Sequence, residues 1–456
     1  MFERFTRVFW GDFNSTDELK KIFGLALAAF FLIGAQWPVK ILKDTLLVGF
    51  LGAKHQPSIK MFSIFLCFPI TILYTISVEH FRREKIIYFI ASIYALLGVG
   101  LAGLLTAWSI GIVTNINLLS NTFYLFSETL TAITIPSFWA FVNDVTQPEE
   151  AKRSYPVIVF FAQLGGLVFT LFAKYIPLMV GYGFNLDSGQ AFAVSTPFVT
   201  LTSSILLVLF VVAIWEIVHV VKKRALQGYQ AANDQAVKSE KSSLDKFSIA
   251  SFINGLILII SRPYVYGVFL LTAFQEISGS LMQYSLLTAT GQNFLSKAAI
   301  CDFMFNYGLV IQVVAVVFSL IGTSWFQRNI GVRGCLLGYP AFLMGIFVVV
   351  LYWPNVYVIA MCTALAKGLN YALNKPVREI LYIPTSIDIK YRSKAWIEVF
   401  GSRAAKATGA SITKFSQKVP GVLGLAFTIL PLVWLATAKL VGDKYHTSVQ
   451  NKEKIS

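Results

Sequence analysis

Apolar runs about twenty residues long follow one another from end to end of this chain, and that repetition leaves few folds open. A run of about 20 apolar residues is the length of helix that crosses a bilayer core of roughly 30 Å. Such runs lie near 20–42, 58–79, 85–107, 117–143, 154–180, 197–221, 262–287, 301–325, 333–352, 355–375, 393–416 and 418–440. They predict an all-α polytopic membrane protein with twelve transmembrane helices. The composition agrees: hydrophobic residues make up 56% of the 456 and charged ones 13%, against roughly a quarter charged in an average soluble domain.

The charges that remain are unevenly placed. Counting from a cytosolic N-terminus, Arg82, Arg83 and Lys85, then Lys152 and Arg153, then Lys222, Lys223 and Arg224, fall in gaps on the inner side. The opposite gaps are poorer in basic residues, so the positive-inside rule puts both termini in the cytosol. The net charge of +15 is then a product of membrane topology, and no nucleic-acid partner is expected. A polar stretch from Val221 to Lys246, followed by an apolar helix-like segment up to Ser261-Arg262-Pro263, reads as a linker with an interfacial helix. It divides the chain into a six-helix half over 1–221, a linker over 222–261, and a second six-helix half with a tail over 262–456. Two halves of six with a weak internal echo, Ala151-Lys-Arg-Ser154 against Lys390-Tyr-Arg-Ser393, match the major-facilitator plan, which binds its solute near the membrane midplane. Cys67, Cys301, Cys335 and Cys362 lie in apolar stretches without metal-like spacing and read as packing residues. There is no phosphate-binding loop motif and no H-E-x-x-H, so neither nucleotide hydrolysis nor a metal is expected to drive the protein, and no cofactor is implied.

A few charges stand inside the apolar runs: Lys40, Lys43 and Asp44 in the first, Glu128 in the fourth, Glu276 in the seventh, Arg403 and Lys406 in the eleventh. An ionised side chain at membrane depth is costly and is normally turned toward a watery path for a solute or ion. Lys40 and Lys43, three apart, share a helix face, with Asp44 beside them; the alternative is that both lysines snorkel to the outer interface. Glu128 and Glu276 suit binding or coupling, or else serve as hydrogen-bonded structural carboxylates. Arg403, Lys406 and Lys414 form a basic stripe fit for an anion with several charges, unless they pair with the glutamates across the bundle.

At these positions the chain resembles the nucleotide transporter family of intracellular bacteria and plastids, the ATP/ADP antiporters or translocases. The family's R-x-x-K-D-T-L element stands here as Lys40-Ile-Leu-Lys43-Asp44-Thr45-Leu46, and its lysine shortly after a proline as Pro57-Ser-Ile-Lys60. Its buried glutamate, F-W-x-F-x-N and E-A-K-R are matched by Glu128, Phe138-Trp139-Ala-Phe141-Val-Asn143 and Glu150-Ala-Lys152-Arg153. Glu276 resembles its seventh-helix glutamate, Ala405-Lys406-Ala-Thr-Gly409 its eleventh-helix element, and Lys375-Pro-Val-Arg-Glu-Ile-Leu-Tyr-Ile-Pro384 its P-T-K-E-x-x-Y-I-P loop. Two departures stand out: Lys40 replaces an arginine, and Ser280 stands where many members carry a lysine.

The resemblance implies a secondary transporter, not an enzyme, that exchanges ATP for ADP across a bacterial inner membrane by alternating access. The expected substrate-binding set is Lys40, Lys43, Asp44, Lys60, Glu128, Glu276, Arg403 and Lys406, Arg403 entering from the basic stripe rather than from the resemblance; Tyr124 or Trp139 would suit the base, though nothing in the sequence singles them out. A symporter that couples nucleotides or other phosphorylated anions to protons, titrating on Glu128 or Glu276, is the alternative. The expected partners are nucleotides, membrane lipid and, in the alternative, protons; the expected state is a monomer.

Overall fold

A computed structural model describes residues 16–146, 148–221, 256–321, 323–382, 384–385, 393 and 396–451. These form helices, and none of the described residues is assigned to a β-strand. In chain order the helices are α1 (Thr16–Leu46), α2 (Gln56–His80), α3 (Arg83–Ser109), α4 (Ile116–Val145), α5 (Pro148–Phe184), α6 (Ser188–Val220), α7 (Pro263–Asn293), α8 (Lys297–Ile321), α9 (Thr323–Tyr352), α10 (Val356–Leu369), α11 (Ser402–Ser416) and α12 (Val422–Gln450). A π turn, Leu47–Leu51, ends α1, and a 3-10 turn, Ala53–His55, opens α2.

Among the described residues ten helices are long and apolar enough to cross a membrane. The two remaining expected spans are irregular. After α10 the helix passes through a π turn, Asn370–Asn374, and continues over Lys375–Ile380, so it extends past the expected end at 375. α11 follows a second π turn, Ile397–Gly401, and residues 394–395 of its expected start lie outside the described set. A π turn carries an extra residue within the helical ladder and tends to occur at functional positions. α9 is broken where Gly331, at φ 73°, leaves the helical region; a side chain there would be strained, whereas glycine is not. Prolines lie within α1, α2, α4, α5, α6, α9 and α12, and each removes a backbone hydrogen bond that bends or weakens the local turn.

Large apolar side chains cover the outside. Phe65 and Leu96 are each 72% exposed, and Phe89 is 68% exposed, an arrangement that water would penalise and hydrocarbon does not. The four cysteines are buried, and none forms a disulfide among the described residues. Most of the linker, 222–255, lies outside the described residues; 256–261 are helical, and the helix breaks at Arg262 before α7.

The chain clusters into two compact units: Met1–Leu51, Pro69–Leu244 and Phe294–Leu320 in the first, and Gly52–Phe68, Asp245–Asn293 and Ile321–Ser456 in the second. Each unit therefore draws a segment from the other half of the sequence. The first takes α8, and the second takes the opening half of α2, up to the residue before Pro69.

Candidate functional site

In the first unit α1 is tied to α4 at three levels. Near the start of α1, the Lys21 ammonium is 1% exposed; it donates to the Val145 carbonyl at 3.0 Å and to Glu150 Oε2 at 2.6 Å. In the middle, Gln36 Nε2 donates to Thr134 Oγ1 at 2.8 Å. Near the end, the Lys43 ammonium bonds Glu128 Oε1 and lies 3.7 Å from Asp44 Oδ1. Partner numbers on α4 fall as those on α1 rise, so the two helices run antiparallel. The spacing follows from a rise of about 1.5 Å per residue, which spreads these ties over roughly 33 Å of α1.

Lys43 is 5% exposed, with the Tyr124 ring centroid 4.5 Å from Nζ. Two carboxylates and a π face thus surround one ammonium, the arrangement that a buried cation requires. Glu128 is therefore not isolated. Lys40, three residues earlier, is half-buried with its ammonium 5.1 Å from the Trp37 ring; the two lysines share a face but not their partners. Both aromatics expected for a base are engaged by neighbouring side chains. Tyr124 is fully buried beneath Lys43, and Trp139 packs edge-on to Tyr155 at 5.4 Å, whose hydroxyl bonds Asn143. The F-W-x-F-x-N element thereby fastens α4 to α5.

In the second unit one face of α7 holds three lysines from three other helices. Glu276 lies 3.6 Å from Lys406 of α11. Ser280 Oγ accepts from Lys60 of α2 at 2.8 Å. Gln283 Oε1 accepts from Lys367 of α10. Positions i, i+4 and i+7 fall on one face of a helix, so the pattern is a property of α7. Close approach of α11 makes it possible: a Cβ at Gly409 would lie 2.6 Å from Ser280 Cβ and 3.3 Å from Ile277 Cα. The start of α2 is held there too, through Gln417 Nε2 donating to the Lys54 carbonyl at 3.0 Å and Phe68 edge-on to Phe400 at 5.1 Å.

Arg403 lies against Cys67. The basic stripe of α11 does not continue as one lined face, because Ala410 is buried while Lys414 is exposed. Asn374, in the π turn after α10, donates to Gln275 at 3.1 Å and to Asn370 at 2.9 Å, so the irregular turn is pinned to α7. Arg378, one turn further on, is 8% exposed, and its Nε and Nη1 make no hydrogen bond among the described residues.

Of the eight residues that the sequence singles out, Lys43, Asp44 and Glu128 meet in the first unit, and Glu276 meets Lys406 in the second. Lys60 joins that second group through Ser280; Lys40 and Arg403 have other neighbours. Lys21, Lys174, Gln283 and Lys367 were missed. Lys174 and Lys367 are lone cations within apolar runs, the same signal that drew attention to Lys43. Lys174 donates to Asn306 of α8 at 2.6 Å.

Comparison with known proteins supplies the family. A profile described as TLC ATP/ADP transporter matches residues 1–105, 100–344 and 332–445. "ADP,ATP carrier protein 4" of Rickettsia felis is 23% identical over 95% of this chain and 93% of its own length. "ADP,ATP carrier protein 1" of Rickettsia prowazekii is 24% identical over 70% of this chain and 67% of its own. Among solved structures, the major-facilitator transporter FucP in an outward conformation aligns at 14% identity with a TM-score of 0.59, covering 94% of this chain and 99% of FucP. The partially occluded, inward-open xylose transporter XylE of E. coli aligns at 13% identity and 0.62, over 93% and 97%. The fold is that of the major facilitators, and the protein is a multi-pass membrane transporter rather than an enzyme. With residues 1–445 of its 456 matched by one profile, the chain belongs to the TLC ATP/ADP transporter family.

Proposed function

We propose that this protein exchanges ATP for ADP across a bacterial inner membrane by alternating access, with both termini in the cytosol. The observation that carries the reading is the pairing of lysines with glutamates inside apolar helices: Lys43 with Glu128, and Lys406 with Glu276. Removing one partner of a fully buried ion pair costs about 3–5 kcal/mol, because the other charge is left without compensation; Lys43, 5% exposed, approaches that case, whereas Lys406, 41% exposed, is screened by solvent and loses less. A polyphosphate brings its own negative charge and can replace a glutamate beside a lysine at far smaller cost. When it leaves, the glutamate takes the lysine back. Such a site is neutralised in either condition, so neither lysine is left as an uncompensated charge; the choice of exchange over one-way passage rests on the names of the relatives.

The names of the relatives support the choice of ATP and ADP. Lys43 and Lys406 are assigned to phosphate oxygens, Glu128 and Glu276 to holding those lysines between substrates. Lys40 and Arg403 are assigned to the approach, where a half-buried cation attracts an anion before it is fully desolvated.

The test is transport in proteoliposomes loaded with ADP and given labelled ATP outside. Uptake should saturate, require internal nucleotide and be matched by ADP efflux. Uptake that needs an imposed proton gradient and no internal nucleotide means proton symport instead, and uptake absent under both conditions removes the nucleotide reading. Lys406→Ala should slow exchange by about tenfold or more, the loss expected of one charge-assisted phosphate contact. Lys439→Ala, on the exposed side of α12, is the control for loss of a positive charge.

A further inference from the structure

The α7 face carries one rung that family resemblance did not supply. Glu276, Ser280 and Gln283 each present an oxygen to a lysine, and the three lysines come from α11, α2 and α10. From the first to the third position the axial distance is about 10 Å. All three lysines are half-buried, so each ammonium is partly desolvated yet still within reach of a solute. Lys367 also lines a cavity with Gln275, Ser278, Tyr339 and Thr363. Within it, the buried Ser278 hydroxyl makes no hydrogen bond among the described residues. A half-buried lysine within an apolar helix, held by a neutral amide oxygen, keeps a charge that an anion can meet, and the small cavity beside it has room for a bridging water.

We infer that Lys367, positioned by Gln283, is a further phosphate-contacting residue that extends the row of Lys406 and Lys60 by one place along α7. The inference rests on the nucleotide reading above and deepens it. A single phosphate meets one ammonium of such a row, whereas a di- or triphosphate lies along it and meets several. Lys367 therefore sets how strongly the protein prefers nucleotides with more phosphates. Gln283 is a positioning residue: its carbonyl oxygen fixes the direction of the ammonium, and its neutrality leaves the lysine's charge in place.

The experiment measures exchange by proteoliposomes of the wild type, Lys367→Gln, Lys367→Arg and Gln283→Leu, with AMP, ADP and ATP as competitors. In parallel, the thermal shift produced by inorganic pyrophosphate is read in detergent. Losing one charge-assisted hydrogen bond should raise the KM for ATP by about tenfold in Lys367→Gln, with kcat changed by less than about twofold. Competition by AMP should change least. Lys367→Arg should restore the KM to within about threefold of wild type, since a cation is kept. The pyrophosphate shift should shrink in Lys367→Gln.

An unchanged KM for ATP in Lys367→Gln overturns the inference, while wild-type exchange leaves the nucleotide reading standing. A wild type that exchanges no nucleotide overturns that reading instead. In that event, equal pyrophosphate shifts in wild type and variant overturn the inference as well. Should Lys367→Gln fail to fold, Gln283→Leu keeps the lysine and carries the test: its KM should rise by about two- to fivefold, as expected for loss of a neutral hydrogen bond, and no rise overturns the inference.

Discussion

Single residues here carry costs that only their partners explain. Lys43 is tolerable in an apolar bundle because Glu128, Asp44 and Tyr124 surround it, and each depends on the others in turn. Glu128→Gln should therefore lower the melting temperature in detergent, and Lys43→Met added to it should recover part of the loss. A double-mutant coupling of about 0.5–3 kcal/mol is expected; strictly additive effects would show that the pair does not interact. Gln312 of α8 is the opposite case, fully buried with neither amide atom hydrogen-bonded among the described residues. Leaving such a group unsatisfied costs about 1–3 kcal/mol, so Gln312→Met should raise the melting temperature, and a lower one would mean that the amide has a partner in another state. How far the sequence discloses these residues follows from chemistry. A charge in an apolar run is conspicuous, which is why Lys43, Glu128 and Glu276 stand out without a structure. Which charge meets which is not legible, since Lys43 and Glu128 are 85 positions apart and no local pattern connects them. Lys367 and Lys174 carried the same conspicuous signal; neither forms an i, i+3 pair, and neither lies in the matched motifs.

At the scale of helices, length and apolar character anticipated where spans lie, and the departures occur where the ladder changes pitch. The π turns after α1, after α10 and before α11 leave no mark in hydropathy, because an extra residue per turn does not alter how greasy a segment is. Helix contacts are similarly hidden, except where a small residue permits them. Gly409 allows α11 to lie directly against Ser280 and Ile277, and this approach sets how far Lys406 stands from Glu276. Gly409→Val should push the helices apart and strongly reduce exchange, whereas Gly421→Ala, outside that contact, should alter stability through backbone strain at its positive φ of 87° with a smaller effect on KM. Equal KM values for Gly409→Val and wild type would remove α7–α11 contact from the account. The α1–α4 ties add a second element-scale consequence. Lys21 bonds both the last turn of α4 and the first turn of α5, so the E-A-K-R element owes at least its glutamate to holding three helices in register.

For the whole molecule, the division of the sequence into successive halves describes the pattern of charge and linker, but each compact unit includes a segment from the other half. In the first unit α8 is gripped by Lys174 of α5 through Asn306, and Gly308 leaves room for Ile41 of α1. In the second, Lys60 and Phe68 hold the opening of α2. A chain cut between 222 and 255 should accordingly yield two pieces that are poorly stable apart and purify together when co-expressed; pieces that fold separately and do not associate would contradict the exchange of segments. The exchange also sets a timetable for biosynthesis. The ribosome delivers α2 early, but the helices that hold its first half emerge more than two hundred residues later, on the order of tens of seconds at usual elongation rates. Over that interval the young chain must rest in the membrane with Lys60 unclaimed by Ser280, and insertion machinery or lipid headgroups have to shelter it until α7 arrives.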